Sequence, residues 1–151
     1  MTVTIIPICE NRKARFDYDI EETVEAGLAL TGSEVKACRS GEASLSDAYA
    51  LPRNGNMELL NAHIGAYKPA SVFAHLPTRV RRVLLKKSEI DKWSAKVRER
   101  GYSIVPLSMY FKDGWAKVSL GLAKGKKHHD KRKAIAERET KREVDRAMRR
   151  R

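Results

Sequence analysis

The chain has 151 residues, 42% of them apolar, which is enough for one domain with a real core, and it carries a net charge of +12. No run approaches the roughly 18 apolar residues that a membrane span needs, and the apolar start, Met1 to Cys9, lacks a basic leader, so a cytosolic protein is expected. The charge is uneven: residues 124–151 hold 13 of the basic and 5 of the acidic side chains, a net +8, against +4 for residues 1–123. Charge gathered at one end suggests a polyanion as partner, because each phosphate neutralised by Lys or Arg releases condensed counterions.

After a short N-terminal arm, the basic cluster Asn11-Arg12-Lys13-Ala14-Arg15 precedes Phe16, Tyr18 and Ile20, whose alternation with polar residues predicts a half-buried strand. An apolar stretch, Val24 to Leu30, ends at Thr31-Gly32; Ser33 is placed to cap a short helix over Glu34–Cys38, with Gly41 closing it. Asn54-Gly55 predicts a tight hairpin between Ser46–Leu51 and Met57–Leu60, since Asn-Gly tolerates the positive φ angles such turns need. Residues 66–79 lack a period and read as a loop feeding a basic run of Arg79, Arg81, Arg82, Lys86 and Lys87. Ser88-Glu89-Ile90-Asp91 has the form of a capping box for a helix that turns Ile90, Trp93 and Val97 to one side and stops at Gly101. A second hairpin follows, Tyr102–Phe111 and Trp115–Leu120 about Asp113-Gly114.

About six short strands with two helices set among them predict a mainly β protein with short helices, an OB-like antiparallel barrel. It would span residues 1–123 and carry a basic C-terminal tail over 124–151. Glu137/Lys141 and Asp145/Arg149 are favourable i,i+4 pairs in that tail, whose apolar stripe is only Ile135, Val144 and Met148. The expectation is therefore disorder when free and a helix on an RNA surface.

Gly121 to Lys127 imitates a phosphate loop, but the glycine spacing is short and Lys127 stands where a magnesium-binding Ser or Thr belongs, so the two glycines read as a route for the backbone out of the barrel. His128-His129-Asp130 sits in a stretch too cationic for a metal, and no metal or cofactor is expected. Cys9 and Cys38 form no CxxC pair and read as reduced packing residues. No residues are spaced as a nucleophile with its base or as paired carboxylates, so no catalytic site and no enzyme are expected. Glu21 and Glu22 read as a solvated strand face, and Glu25 reads as structural, although a carboxylate can accept hydrogen bonds from base or ribose.

Asn11–Arg15, Glu25-Ala26-Gly27-Leu28-Ala29-Leu30, Gly32-Ser33-Glu34-Val35-Lys36, Ser46-Asp47-Ala48-Tyr49 and Gly125-Lys126-Lys127-His128-His129-Asp130-Lys131-Arg132, in this order, resemble the SsrA-binding protein (SmpB) family. The resemblance implies an OB-like barrel that grips the tRNA-like domain of transfer-messenger RNA in place of a missing anticodon arm. Its role would lie in trans-translation, the rescue of bacterial ribosomes stalled on messages without a stop codon. It implies RNA contacts at Asn11, Arg12, Lys13, Glu25, Leu84, Lys86, Lys124 and Gly125, with Arg15, Lys36, Lys126 and Lys127 beside them. The tail would enter the empty message channel as a helix, placing His129, Asp130, Lys131 and Arg132 near the decoding centre, with His129 stacked on a ribosomal base. Lys86 stands where Asn or His is common, Ser44 for Asn and Ala48 for Ser; Lys86 exchanges a directional contact for a charge contact.

The function expected is a monomeric, non-enzymatic adaptor whose partners are transfer-messenger RNA and the small ribosomal subunit, with no membrane. A general ribosomal or RNA-chaperone protein that binds rRNA without preference is the alternative, and an RNA-processing enzyme the third reading.

Overall fold

The computed structural model describes residues 3–65, 76–125 and 142. In chain order the elements are β1 (Ile5–Glu10), α1 (Arg12–Asp17), β2 (Tyr18–Leu28), α2 (Gly32–Arg39), β3 (Ala43–Ser44), β4 (Tyr49–Arg53), β5 (Asn56–Leu60), β6 (His63–Ile64), β7 (Arg81–Leu84), α3 (Lys87–Arg100), β8 (Ser103–Lys112) and β9 (Trp115–Gly125). The predicted basic tail beyond Gly125, with its helix, lies outside the described residues apart from Arg142.

Strands β8, β4, β5, β7, β2 and β9 follow one another side by side, all antiparallel, and β9 pairs again with β8, so the sheet closes on itself. This is the expected OB-like barrel, with more strands than the six predicted: β1 adds to β8 outside the ring, and β3 pairs with β6 in a separate ribbon. Closure leaves no exposed edge within the ring. Met57, Leu59, Ile104, Met109, Val118, Leu120 and Leu122 fill the interior, and α3 lays Ile90 and Trp93 against it.

Both hairpins form where the turn residues put them. Asn54 and Gly55 join β4 to β5, and Asp113 and Gly114 join β8 to β9, all four with positive φ. Other local expectations shift. Phe16 belongs to α1 and not to a strand, because the Asn11 side chain accepts from the Ala14 amide and starts a helix that delays β2 to Tyr18. The N-terminal arm is β1, paired with β8 from Ile5↔Lys112 to Glu10↔Ser108. Helix α2 is capped two residues early by Thr31, in a reciprocal capping box with Glu34. The box predicted at Ser88 is absent: α3 begins at Lys87 behind Lys86, with no side-chain cap, and ends at left-handed Gly101 as expected.

Gly121 does not lead the backbone out of the barrel. It sits inside β9, where a Cβ would lie 3.1 Å from Ile20 Cγ2 and 3.3 Å from Leu107 Cδ1. Those side chains belong to a small outer core of Ala14, Val105, Leu107 and Ala123 that fastens α1 to the barrel wall. The sheet ends at Gly125, opposite Tyr18.

Candidate nucleic-acid interface

Most of the described site residues gather near the two ends of strand β2, although only Glu25 among them belongs to it. Tyr18 pairs with Gly125 at one end and Gly27 with Lys117 at the other; nine residues at about 3.3 Å each separate them by roughly 30 Å. Apart from Lys36 and Lys86, the described RNA-binding candidates accordingly form two surfaces.

At the first end, α1 holds Arg12, Lys13 and Arg15 exposed, with Lys13 Nζ 3.7 Å from the Asp47 carboxylate. Asn11, by contrast, is only 4% exposed. Its amide nitrogen donates to the carbonyls of Leu45 and Pro106, both at 2.9 Å, its side-chain oxygen accepts from Ala14, and its backbone N–H donates to Leu107 at 2.8 Å. Strand β8 changes neighbour in this stretch, pairing with β4 at Ile104 and with β1 from Ser108 onward. Asn11 satisfies the carbonyls left between, and in doing so fixes where the α1 cations stand. Lys124 lies nearby, its ammonium 4.7 Å from the centre of the Tyr102 ring, and the Tyr102 hydroxyl donates to Glu21 at 2.6 Å. Glu22 pairs with Lys92 of α3 at 3.5 Å, so neither glutamate is simply a solvated strand face.

At the second end, Glu25 points outward from β2 and receives the Tyr110 hydroxyl and the Lys112 ammonium, the latter at 3.2 and 3.4 Å. The Tyr110 hydrogen bond, aided by Lys112, holds the Glu25 carboxyl below its ordinary pKa, while burial and the facing Glu25 push the Tyr110 phenol up to about 12. Leu84 packs over Gly27, where an added Cβ would lie 3.2 Å from Leu84 Cβ, and Leu84 is 52% exposed. Trp115, 74% exposed at the turn into β9, lines the same hollow with Leu84 and Lys117. This surface offers an oriented carboxylate, two apolar faces and flanking lysines: acceptor, stacking platform and phosphate partners for nucleic acid. The sequence reading did not single out Tyr110, Lys112 or Trp115; the hairpin register at Asp113-Gly114 was the signal that sets them beside one another.

Lys86 is exposed at the start of α3 and Lys36 on α2. Lys126, Lys127, His129, Asp130, Lys131 and Arg132 lie outside the described residues. The predicted basic run loses one member, for Arg81 is buried: its Nε donates to Glu34 at 2.6 Å, and its other nitrogens donate to the carbonyls of Ala62 and Pro77. Arg79 grips the same carboxylate. Among the described residues no group of His, Cys, Asp and Glu is placed to hold a metal, and no helix is long and apolar enough to cross a membrane. Cys9 and Cys38 are unbridged, and burial raises both thiols, Cys38 to about 11.

A closed antiparallel barrel with a cationic helix at one end and an acceptor-and-aromatic surface at the other belongs to the OB-like class. A family model described as SmpB protein matches residues 8–150. The SsrA-binding protein of Myxococcus xanthus (strain DK1622) is 67% identical over 144 residues, 95% of this chain and 89% of that protein. The SsrA-binding protein of Anaeromyxobacter dehalogenans (strain 2CP-C) is 62% identical over 138 residues, 91% of this chain and 85% of its own length. A solved chain from work described as "tmRNA-SmpB: a journey to the center of the bacterial ribosome" superposes with a TM-score of 0.69 at 42% identity, covering 85% of this chain and 94% of that one. The chain belongs to the SmpB family of SsrA-binding proteins.

Proposed function

We propose that this protein is the adaptor that binds the tRNA-like domain of transfer-messenger RNA and brings it to stalled ribosomes in trans-translation. The observation that carries the reading is the likeness to SsrA-binding proteins along nearly the whole chain. The barrel supports it physically: the Glu25–Leu84 surface suits a folded RNA, the α1 cations and Lys124 suit its backbone, and the +8 of residues 124–151 suits a channel walled by phosphate. In this reading the barrel and the tail divide the work. The barrel selects the RNA, and His129, Asp130, Lys131 and Arg132 report a message channel left empty near the decoding centre. Asn11 acts by positioning α1, since its amide is already engaged. The protein works in the cytoplasm as a monomer, without a cofactor, and does no bond chemistry.

The test is removal of residues 126–151, which leaves β9 whole. The shortened protein is expected to keep most of its affinity for transfer-messenger RNA and to lose tagging of stalled chains; undiminished tagging would sink the division of labour. Equal affinity for unrelated RNAs with a steep salt dependence would instead support the general RNA-chaperone reading that a charge of +12 also suits.

A further inference from the structure

The motif Ser46-Asp47-Ala48-Tyr49 touches the first of these surfaces only through the Asp47–Lys13 pair, and Tyr49 has no part in either as described above. With the start of β4 it forms one wall of a cleft of about 330 Å³ whose other walls are α1, the start of β8 and Val97 of α3. Tyr18 and Tyr49 line it, together with Lys13, Asp17 and Ser103. Its shape is fixed by Asn11, whose side chain ties the first turn of α1 to the carbonyl of Leu45 on one side and that of Pro106 on the other.

We infer that this cleft receives a single unstacked nucleotide of RNA. The base enters and the phosphate stays outside, because the carboxylates of Asp17 and Asp47 oppose an anion within the cleft but accept hydrogen bonds from base amino and imino groups. Tyr18 and Tyr49 supply rings against which a base can lie. Outside, the phosphate meets Lys13, and Arg12 and Arg15 stand exposed on the same helix. Lys13 and Asp47 form an exposed pair 3.7 Å apart in the free protein. Such a pair is weakly held, so the lysine turns to phosphate and the aspartate to the base without a large penalty. The inference rests on the RNA-binding reading, and the RNA that donates the nucleotide is either the tRNA-like RNA or ribosomal RNA.

The experiment uses full-length protein with a photoreactive benzoylphenylalanine at position 49, irradiated with purified transfer-messenger RNA alone and with stalled ribosomes plus that RNA. A second protein carries the same probe at position 84, and crosslinks are mapped as reverse-transcription stops. One discrete stop from position 49 is expected: on transfer-messenger RNA in both mixtures if it is the donor, or on ribosomal RNA only when ribosomes are present. Tyr49→Leu should then weaken binding of the crosslinked RNA roughly tenfold, within the span of base–aromatic stacking. Scattered stops, or none from position 49 while position 84 still marks transfer-messenger RNA, would overturn the cleft and leave the adaptor reading standing. Silence from both positions would remove both.

Discussion

Glu34, in the first turn of α2, and Glu25, on the outer face of β2, are each gripped by two side-chain donors, yet their regions do different work. The Glu34 region is closed. Both Glu34 and Arg81 have 0% exposed side chains, and every polar group there meets a partner: Thr31 on one carboxylate oxygen, Arg81 on the other, Arg79 on both, and two backbone carbonyls on Arg81. The Glu25 region is open, with Glu25 39% and Lys112 35% exposed and large apolar side chains nearby left uncovered. Similar chemistry thus serves the fold where it is sealed and offers itself to a partner where it is not. A buried ion pair is held in place chiefly by the penalty for breaking it, whereas an exposed one can exchange partners at little expense.

The sharpest way to break this comparison is Glu34→Ala, which strands the Arg81 guanidinium in the barrel wall. A loss of about 3–5 kcal/mol is expected from thermal or urea unfolding. Acid probes the same knot without mutation. Burial alone would raise the Glu34 pKa, but the bonds from Arg79, Thr31 and Arg81 bring it from 4.5 to about 2. A carboxylate depressed by folding stabilises above its unfolded pKa, so a contribution of about 3 kcal/mol should be intact at neutral pH and fade as pH falls from near 4.5 towards 2. Stability measured across that window should therefore fall with a slope that Glu34→Ala removes.

Glu25→Gln should give the opposite pattern. Its stability should stay within about 0.5 kcal/mol of the parent, while affinity for transfer-messenger RNA falls by roughly tenfold, the value of one charge-assisted hydrogen bond. Equal losses of folding and binding would mean that the two regions are not distinct. The smallest effect is spectroscopic: without the facing carboxylate, the Tyr110 phenol should titrate below about 12 by ultraviolet absorbance, though burial still holds it above its ordinary value.

The parts of the fold legible in the sequence are those whose cause is local. Asn54-Gly55 and Asp113-Gly114 specify turns from their own backbone preferences, and Gly101 stops α3 for the same reason. Strand β1 was illegible because its partner lies about a hundred residues on, at Ser108–Lys112. Phe16 misled because an alternation of apolar residues competed with an Asn11 cap, whose force comes from carbonyls of Leu45 and Pro106 that the local sequence does not reveal. The RNA roles expected of Glu25 and Leu84 came through resemblance and not through pattern, whereas the α1 cations stood out as a basic cluster. The burial of Arg81 could not be read from a run of basic residues, since its acidic partner sits 47 positions earlier.

The pairing of the first strands with the last has a consequence for how the molecule is made. Ile5 opposes Lys112, and Tyr18 opposes Gly125, so β1 has no strand partner in the sheet until β8 has been synthesised and the start of β2 none until the end of β9. Contacts so distant along the chain must form together and late. A nascent copy cut short before β9 has no ring to close and lacks Ala123 from the core under α1, although Asn11 can already reach Leu45 and Pro106; an unfinished chain has no closed barrel to offer RNA.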